Sequence, residues 1–169
     1  FWGPDSRYGG IRGVQQTQVG YTGGTTVNPI YTNLGDHTES IKIYYDPSIV
    51  SYRHLLKVFW SIHDPTEVQT RQYRSVIFVH NESQRRQAIE SLENARRRVK
   101  GKVRTVVEGA SRFYEAEGYH QKYRLRQNKT MMPLLQNLSD RELMNSFVAA
   151  RLNALANGDA EAAQVKVDL

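Results

Sequence analysis

The chain has 169 residues, 39% hydrophobic and 24% charged, enough for an ordinary core and too apolar for a disordered segment. No stretch approaches the ~18 apolar residues of a membrane helix, and no secretory leader is expected. The sequence holds no cysteine, which excludes disulfides, Cys-ligated zinc and iron–sulfur clusters, and its net charge of +6 is local, with eight cations against three acids between residues 82 and 104.

Residues 1–12 are Gly-rich and amphipathic and suit a short helix or turn. Residues 14–19 alternate and are β-prone, a strand. It runs into Gly20-Tyr-Thr-Gly-Gly24 and Asn28-Pro29, a loop. Residues 39–45 alternate again and stop at Asp46-Pro47, a second strand. Ser51 caps a helix to about residue 62, with apolar residues around most of its circumference, so it is expected to be buried. His63-Asp64-Pro65 ends it. Residues 75–80 form a short β-branched strand. Asn81 or Ser83 opens a helix to about residue 100, with Ala88, Ile89, Leu92, Ala95 and Val99 inward and arginines outward; Gly101 stops it. Residues 103–108 read as a strand and 114–127 as a helix. The capping box Ser139-x-x-Glu142 opens a helix over 139–156, and the last dozen residues are expected to form a loose tail. The order implies an α+β two-layer sandwich, a mixed sheet with helices on one face, around a ferredoxin-like, split β-α-β core.

Five dense motifs stand in this order: Phe1-Trp2-Gly3; Gly20-Tyr-Thr-Gly-Gly24 with Asn28-Pro-Ile-Tyr31; His37-Thr-Glu39; His63-Asp-Pro-Thr66 with Gln72-Tyr-Arg-Ser75; and Phe113-Tyr-x-Ala-Glu117 with Tyr119-His-Gln-x-Tyr123. Together they resemble the A-type peptide methionine sulfoxide reductases, which reduce the S epimer of methionine sulfoxide. The resemblance covers roughly residues 1–125. It implies a reductase domain over 1–127 and a C-terminal extension over 128–169 with one helix at about 139–156.

The family's opening motif is Gly-Cys-Phe-Trp-Gly, with the Cys as nucleophile, so the resemblance places a Cys or selenocysteine just before Phe1. A thiolate or selenolate attacks the sulfoxide sulfur, and the departing oxygen needs an acid and neutral hydroxyl donors. The resemblance makes Glu39 that acid, Tyr31 and Tyr73 the donors, and Phe1 with Trp2 the apolar wall holding the substrate S-methyl. It implies no cofactor and no metal, and an external thiol, thioredoxin or glutathione, as reductant. The partners expected are oxidised proteins or peptides and a thioredoxin-type protein, with no nucleic acid and no membrane, for a monomer in the cytoplasm.

Taken singly the residues have plainer readings. Glu39 suits a solvated carboxylate at a strand start, the tyrosines suit packing, and His120 suits a structural role. Two departures from the family pattern stand out. The loop between Tyr31 and Glu39 is short, and Gln72-Tyr-Arg-Ser75 lacks the Asp of a preceding Asn-Asp-x-Gly stretch. Two alternatives stay open. One is a pseudo-reductase that binds methionine sulfoxide or a partner protein without turnover. The other is a basic binding module using the surface of residues 82–104, against which stands a solvated arginine face.

Overall fold

The computed structural model describes residues 1–159, and its order of elements is α+β as the sequence implies. The chain divides into two compact units. The first comprises Phe1–Gly20, Ser40–Val50 and the chain from Glu115 on; the second comprises Tyr21–Glu39 and Ser51–Tyr114. The strands fall into two sheets, one ordered β2-β1-β5 and one a β3-β4 pair. Here β1 is Val14–Thr22, β2 Thr38–Tyr45, β3 Val76–Val79, β4 Val106–Gly109 and β5 Tyr114–Glu115.

The second unit is organised by β3 and β4, which run parallel in the register Val76↔Val106 to Val79↔Gly109. Helix α3 (Glu82–Arg98) makes the crossover between them, as a parallel pair requires. Asn81 caps α3 by accepting from the Gln84 amide (2.9 Å). Leu56 of α2 (Tyr52–Ser61), Ile77, Val79 and Ala88 form the core, with Tyr52, Phe59, Trp60 and Val107 packed around them. Each buried Leu or Ile there contributes about 1.5–3 kcal/mol. Helix α2 is less enclosed than its sequence implies: Leu55, Leu56 and Val58 are buried, while Arg53, His54 and Lys57 face solvent. Ile89 departs from the expected stripe of α3 and is exposed, because the buried face narrows to Ala88, Leu92 and Ala95.

In the first unit α1 (Trp2–Gly9) packs on α6 (Phe147–Ala156). The approach is close because Gly9 has no side chain: a Cβ there would stand 2.6 Å from the Ala150 carbonyl oxygen. Arg151 of α6 spans this contact, donating to the carbonyls of Gly9 and Val14 (2.7 Å for Val14). Burial pulls its guanidinium down to about 10. Leu125, Leu143 and Ala149 form the core here.

Two expected helices are corrected. Residues 139–156 are two helices, α5 (Asp140–Asn145) and α6, separated by an extended Ser146. The Ser146 hydroxyl accepts from the Ala149 amide (3.1 Å), so it opens a new helix in place of continuing the old one. Residues 114–127 are β5, a 3₁₀ turn (Gly118–His120) and the short α4 (Tyr123–Gln127). Long-range pairing defeats the helix here. The Gln121 amide takes both main-chain groups of Val19 (3.1 and 2.8 Å) as a neighbouring strand would, and Lys122 adopts the left-handed conformation (φ 55°). Beyond residue 159 the expected tail lies outside the described residues.

Candidate active site

Three residues expected to act together, Tyr31, Glu39 and Tyr73, lie in the second unit, and the fold brings them together. Tyr31 sits at the tip of a tight turn closed by Ile30 and Asn33, whose main chains exchange two hydrogen bonds (3.3 and 2.9 Å). The loop leading to it is held by Asp36. Its carboxylate accepts from the amides of Thr25 (2.8 Å) and Thr26 (3.1 Å) and from the Thr25 hydroxyl (2.9 Å), which holds it well below the usual carboxylate range. Buried His37 accepts from the Gly24 amide through Nδ1 (3.2 Å) and donates through Nε2 to the Thr26 carbonyl (2.7 Å). Gly24 allows this closeness, since a Cβ would lie 2.7 Å from the imidazole.

The Gln72-Tyr-Arg-Ser75 motif supplies the other side. A 3₁₀ turn (Arg71–Tyr73) places it. Gln72 Nε2 donates to Glu39 Oε1 (2.9 Å). The Tyr73 hydroxyl is hydrogen-bonded with Tyr31. Burial, that bond and the nearby Glu39 charge raise the Tyr73 phenol above its ordinary value, so it stays a proton donor through neutral pH. Arg74 donates to the Thr38 hydroxyl (2.9 Å) and clamps both oxygens of Glu108, lowering that carboxyl. Arg71 donates to the carbonyls of Asp36 (2.9 Å) and Gly23 (2.7 Å). Tyr31 and Glu39 are half-buried, and Tyr73 is 50% exposed, so a ligand can reach the cluster.

Phe1 and Trp2 lie in the first unit, in an aromatic group of their own. The Trp2 indole lies flat on Tyr123, with centroids 3.7 Å apart and planes 5° apart. Its Nε1 donates to His120 Nδ1 (3.2 Å). Phe1 meets the His120 ring edge-on (5.2 Å). Behind them lies a buried polar network. Asp5 Oδ1 accepts from the Thr17 hydroxyl (2.6 Å) and Lys122 Nζ (3.1 Å). Its Oδ2 accepts from the Lys122 amide (3.3 Å) and Asn153 (3.2 Å). All four residues are fully buried.

Sequence reasoning passed over Gln72, which holds the expected acid, and the Asp5–Lys122 pair. Gln72 carried a signal, since every residue of its motif engages a partner. Lys122 carried none, because a lysine between polar residues reads as surface. His63, read as a helix stop, fastens the second unit: Nδ1 donates to the Phe59 carbonyl (2.9 Å), and Nε2 accepts from Ser75 (2.7 Å), which also pairs with Thr105 (2.8 Å). On α3, Arg85 pairs with Glu82, Arg96 with Glu93, and Glu90 with Arg53 of α2, an ion-paired solvated face. Among the described residues no group of three or more His, Asp or Glu is placed to hold a metal ion, and no helix is long and apolar enough to cross a membrane.

A carboxylate held by an amide stands beside two paired phenols on an α+β scaffold, an arrangement of groups that can donate and accept protons. The family model described as peptide methionine sulfoxide reductase matches residues 1–151, and the chain belongs to that family. It is 43% identical to the peptide methionine sulfoxide reductase of Drosophila melanogaster over 99% of this chain and 69% of that protein. It is 40% identical to peptide methionine sulfoxide reductase A5 of Oryza sativa over 92% of this chain, and spans 64% of that relative's length. Among solved structures it resembles Mxr1 from Saccharomyces cerevisiae in reduced form, with a TM-score of 0.70 and 27% identity over 78% of this chain and 83% of that one. The same yeast protein is also solved in complex with Trx2 (TM-score 0.54, 28% identity, 69% of this chain and 74% of that one).

Proposed function

We propose that the protein reduces methionine-S-sulfoxide, in proteins and as the free amino acid, with electrons from a thiol. The observation that carries this reading is the joint pairing of Glu39 with Gln72 and of Tyr31 with Tyr73. In this reading Glu39 is the acid and the two phenols donate to the sulfoxide oxygen. Phe1 and Trp2 form the apolar wall for the S-methyl group. The nucleophile is the Cys or selenocysteine that the resemblance places directly before Phe1. Its chalcogenolate attacks the sulfoxide sulfur, the S–O bond breaks, one proton is taken up, and the oxygen stays on the nucleophile as a sulfenic or selenenic acid while methionine leaves. Two equivalents of external thiol then reduce that acid, releasing water and a disulfide.

The reductant in this reading is a thioredoxin-type protein or glutathione, acting on a monomer in a reducing compartment such as the cytoplasm. The yeast relative's complex with Trx2 supports the first choice. Residues 128–159 are read as an extension of the reductase domain that braces it, because α5 and α6 pack within the same unit as α1. The test is turnover by the chain carrying Gly-Cys before Phe1, with thioredoxin as reductant and the two sulfoxide epimers offered separately. The expected result is consumption of the S epimer alone. Equal consumption of both, or of neither, would sink the reading.

A further inference from the structure

The Tyr119-His-Gln-x-Tyr123 motif has no role in the chemistry above, yet each of its residues from His120 to Tyr123 grips another element of the first unit. Gln121 pairs with the main chain of Val19, Lys122 enters the Asp5 network, and Tyr123 lies beneath the Trp2 indole. Asp5 and Trp2 are both on α1, so the segment holds that helix at two points. Stacking on Tyr123 fixes the plane of the indole and leaves it free to turn within that plane. The bond from Trp2 Nε1 to His120 Nδ1 removes this freedom. An indole N–H only donates, so Nδ1 must keep its lone pair and the imidazole must be neutral with its proton on Nε2.

We propose that His120 is a positioning residue that sets the in-plane orientation of Trp2, and that protonation of its imidazole releases the indole. The inference rests on the reading of Trp2 as the wall for the substrate S-methyl group. A cationic imidazole donates from both nitrogens and opposes the indole N–H. His120 is buried against Phe1 and Trp2 of the N-terminal segment and the Tyr119 ring (4.2 Å). The titratable and charged groups on the elements packed here are Asp5, Arg7 and Tyr8 of α1, Glu117, Tyr119 and Lys122, Tyr123, Arg124 and Arg126 of α4, and Asp140, Arg141 and Glu142 of α5; Asp5 pairs with Lys122 (3.1 Å), Arg7 with Asp159 (2.7 Å) and Asp140 with Arg126 (2.6 Å). The Asp5–Lys122 and Asp140–Arg126 pairs are internally neutralised, and of these groups the imidazole is the one that itself makes the bond to Trp2.

The experiment uses the whole chain with Trp60→Phe, which leaves Trp2 as the sole indole. Trp2 emission is expected to be quenched on acidification between about pH 4 and 8, around the histidine range. His120→Asn keeps an acceptor at the Nδ1 level, and His120→Gln carries a similar amide too far out to meet the indole. Asn is expected to keep the neutral-pH emission and abolish the titration. Gln is expected to shift the emission to the red and, with Gly-Cys before Phe1, to raise KM for N-acetylmethionine-S-sulfoxide about fivefold while kcat stays within about twofold. No titration in the Trp60→Phe chain, a titration that survives in Asn, or Gln behaving as Asn would each overturn the proposal. The first of these needs no substitution at residue 120, so it stands even if a variant fails to fold. Emission reports on His120 without turnover: an inactive chain with the titration intact would count against the proposed reaction and not against the positioning role.

Discussion

The Glu39 cluster and the Asp5 network both hold a carboxylate by hydrogen bonds, in opposite settings. Glu39 is half-buried, with an amide donor and two phenols on loops beside it. Asp5 is fully buried, faces a buried ammonium, and touches the residue capping α4, then α6 and β1, through Lys122, Asn153 and Thr17. A carboxylate that trades protons must be reachable and must not be locked to a fixed cation, whereas one that fixes helices must exclude water. On the proposed reading of Glu39, exposure and the charge of the partner separate a working group from a fastening group, and residue type does not.

The largest effect on stability belongs to the buried pair. Lys122→Met leaves the Asp5 carboxylate buried without its cation and is expected to cost about 3–5 kcal/mol in denaturant unfolding. Adding Asp5→Leu removes the stranded charge and is expected to recover much of that loss. A double variant as unstable as the sum of its two singles would show that the pair is not coupled, and the contrast drawn above would fail.

Glu39→Gln reverses the pattern. It keeps a similar shape and a polar contact to Gln72, so unfolding free energy is expected to stay within about 0.5 kcal/mol. Turnover of the Cys-extended chain is expected to fall by about 10²–10⁴, the usual worth of a positioned acid. Tyr73→Phe removes one of two donors and is expected to cost less, because Tyr31 remains. A large loss of stability in Glu39→Gln with turnover retained would move Glu39 to the fastening class.

These two regions were also unequally legible. The Glu39 cluster was reached through the family resemblance that two short, dense motifs carry, His37-Thr-Glu39 and Gln72-Tyr-Arg-Ser75, and the members of these motifs pair across 33 to 36 residues of sequence. The β3–α3–β4 crossover was legible for a different reason: an apolar strand run, an Asn cap and a stripe of alanines are local signals. What failed depends on distant partners. Residues 114–127 have helical composition, and partners a hundred residues away break it, the main chain of Val19 at Gln121 and Asp5 with Thr17 at Lys122. Ser146 divides the expected C-terminal helix because a serine inside an apolar run can cap as well as continue, and sequence alone does not weigh the two.

His63 sharpens the comparison, because it shares a unit with Glu39 but binds like Asp5. Its imidazole is neutral between the Phe59 carbonyl and the Ser75 hydroxyl, and desolvation lowers its pKa from the ordinary 6.5, against smaller opposing effects of the Phe59 carbonyl and the charges of Asp64 and Glu67. For a base with a depressed folded pKa, the unfolded state takes up the proton first. Stability is therefore complete above pH 6.5 and is lost as pH falls from there toward the lowered folded value. His63→Leu removes the imidazole partner of the Phe59 carbonyl and one of the two partners of the Ser75 hydroxyl, and is expected to cost about 1–3 kcal/mol at neutral pH. It should also flatten the fall of the melting temperature across this acidic window, since the titrating group is gone. Subtracting the variant's pH profile from the wild-type profile cancels the carboxylates, Asp36 and Glu108 among them, that both proteins share. If the difference is flat, or if the variant loses more stability than wild type as the pH falls, His63 is not a neutral fastener and burial alone does not sort the polar groups of this protein.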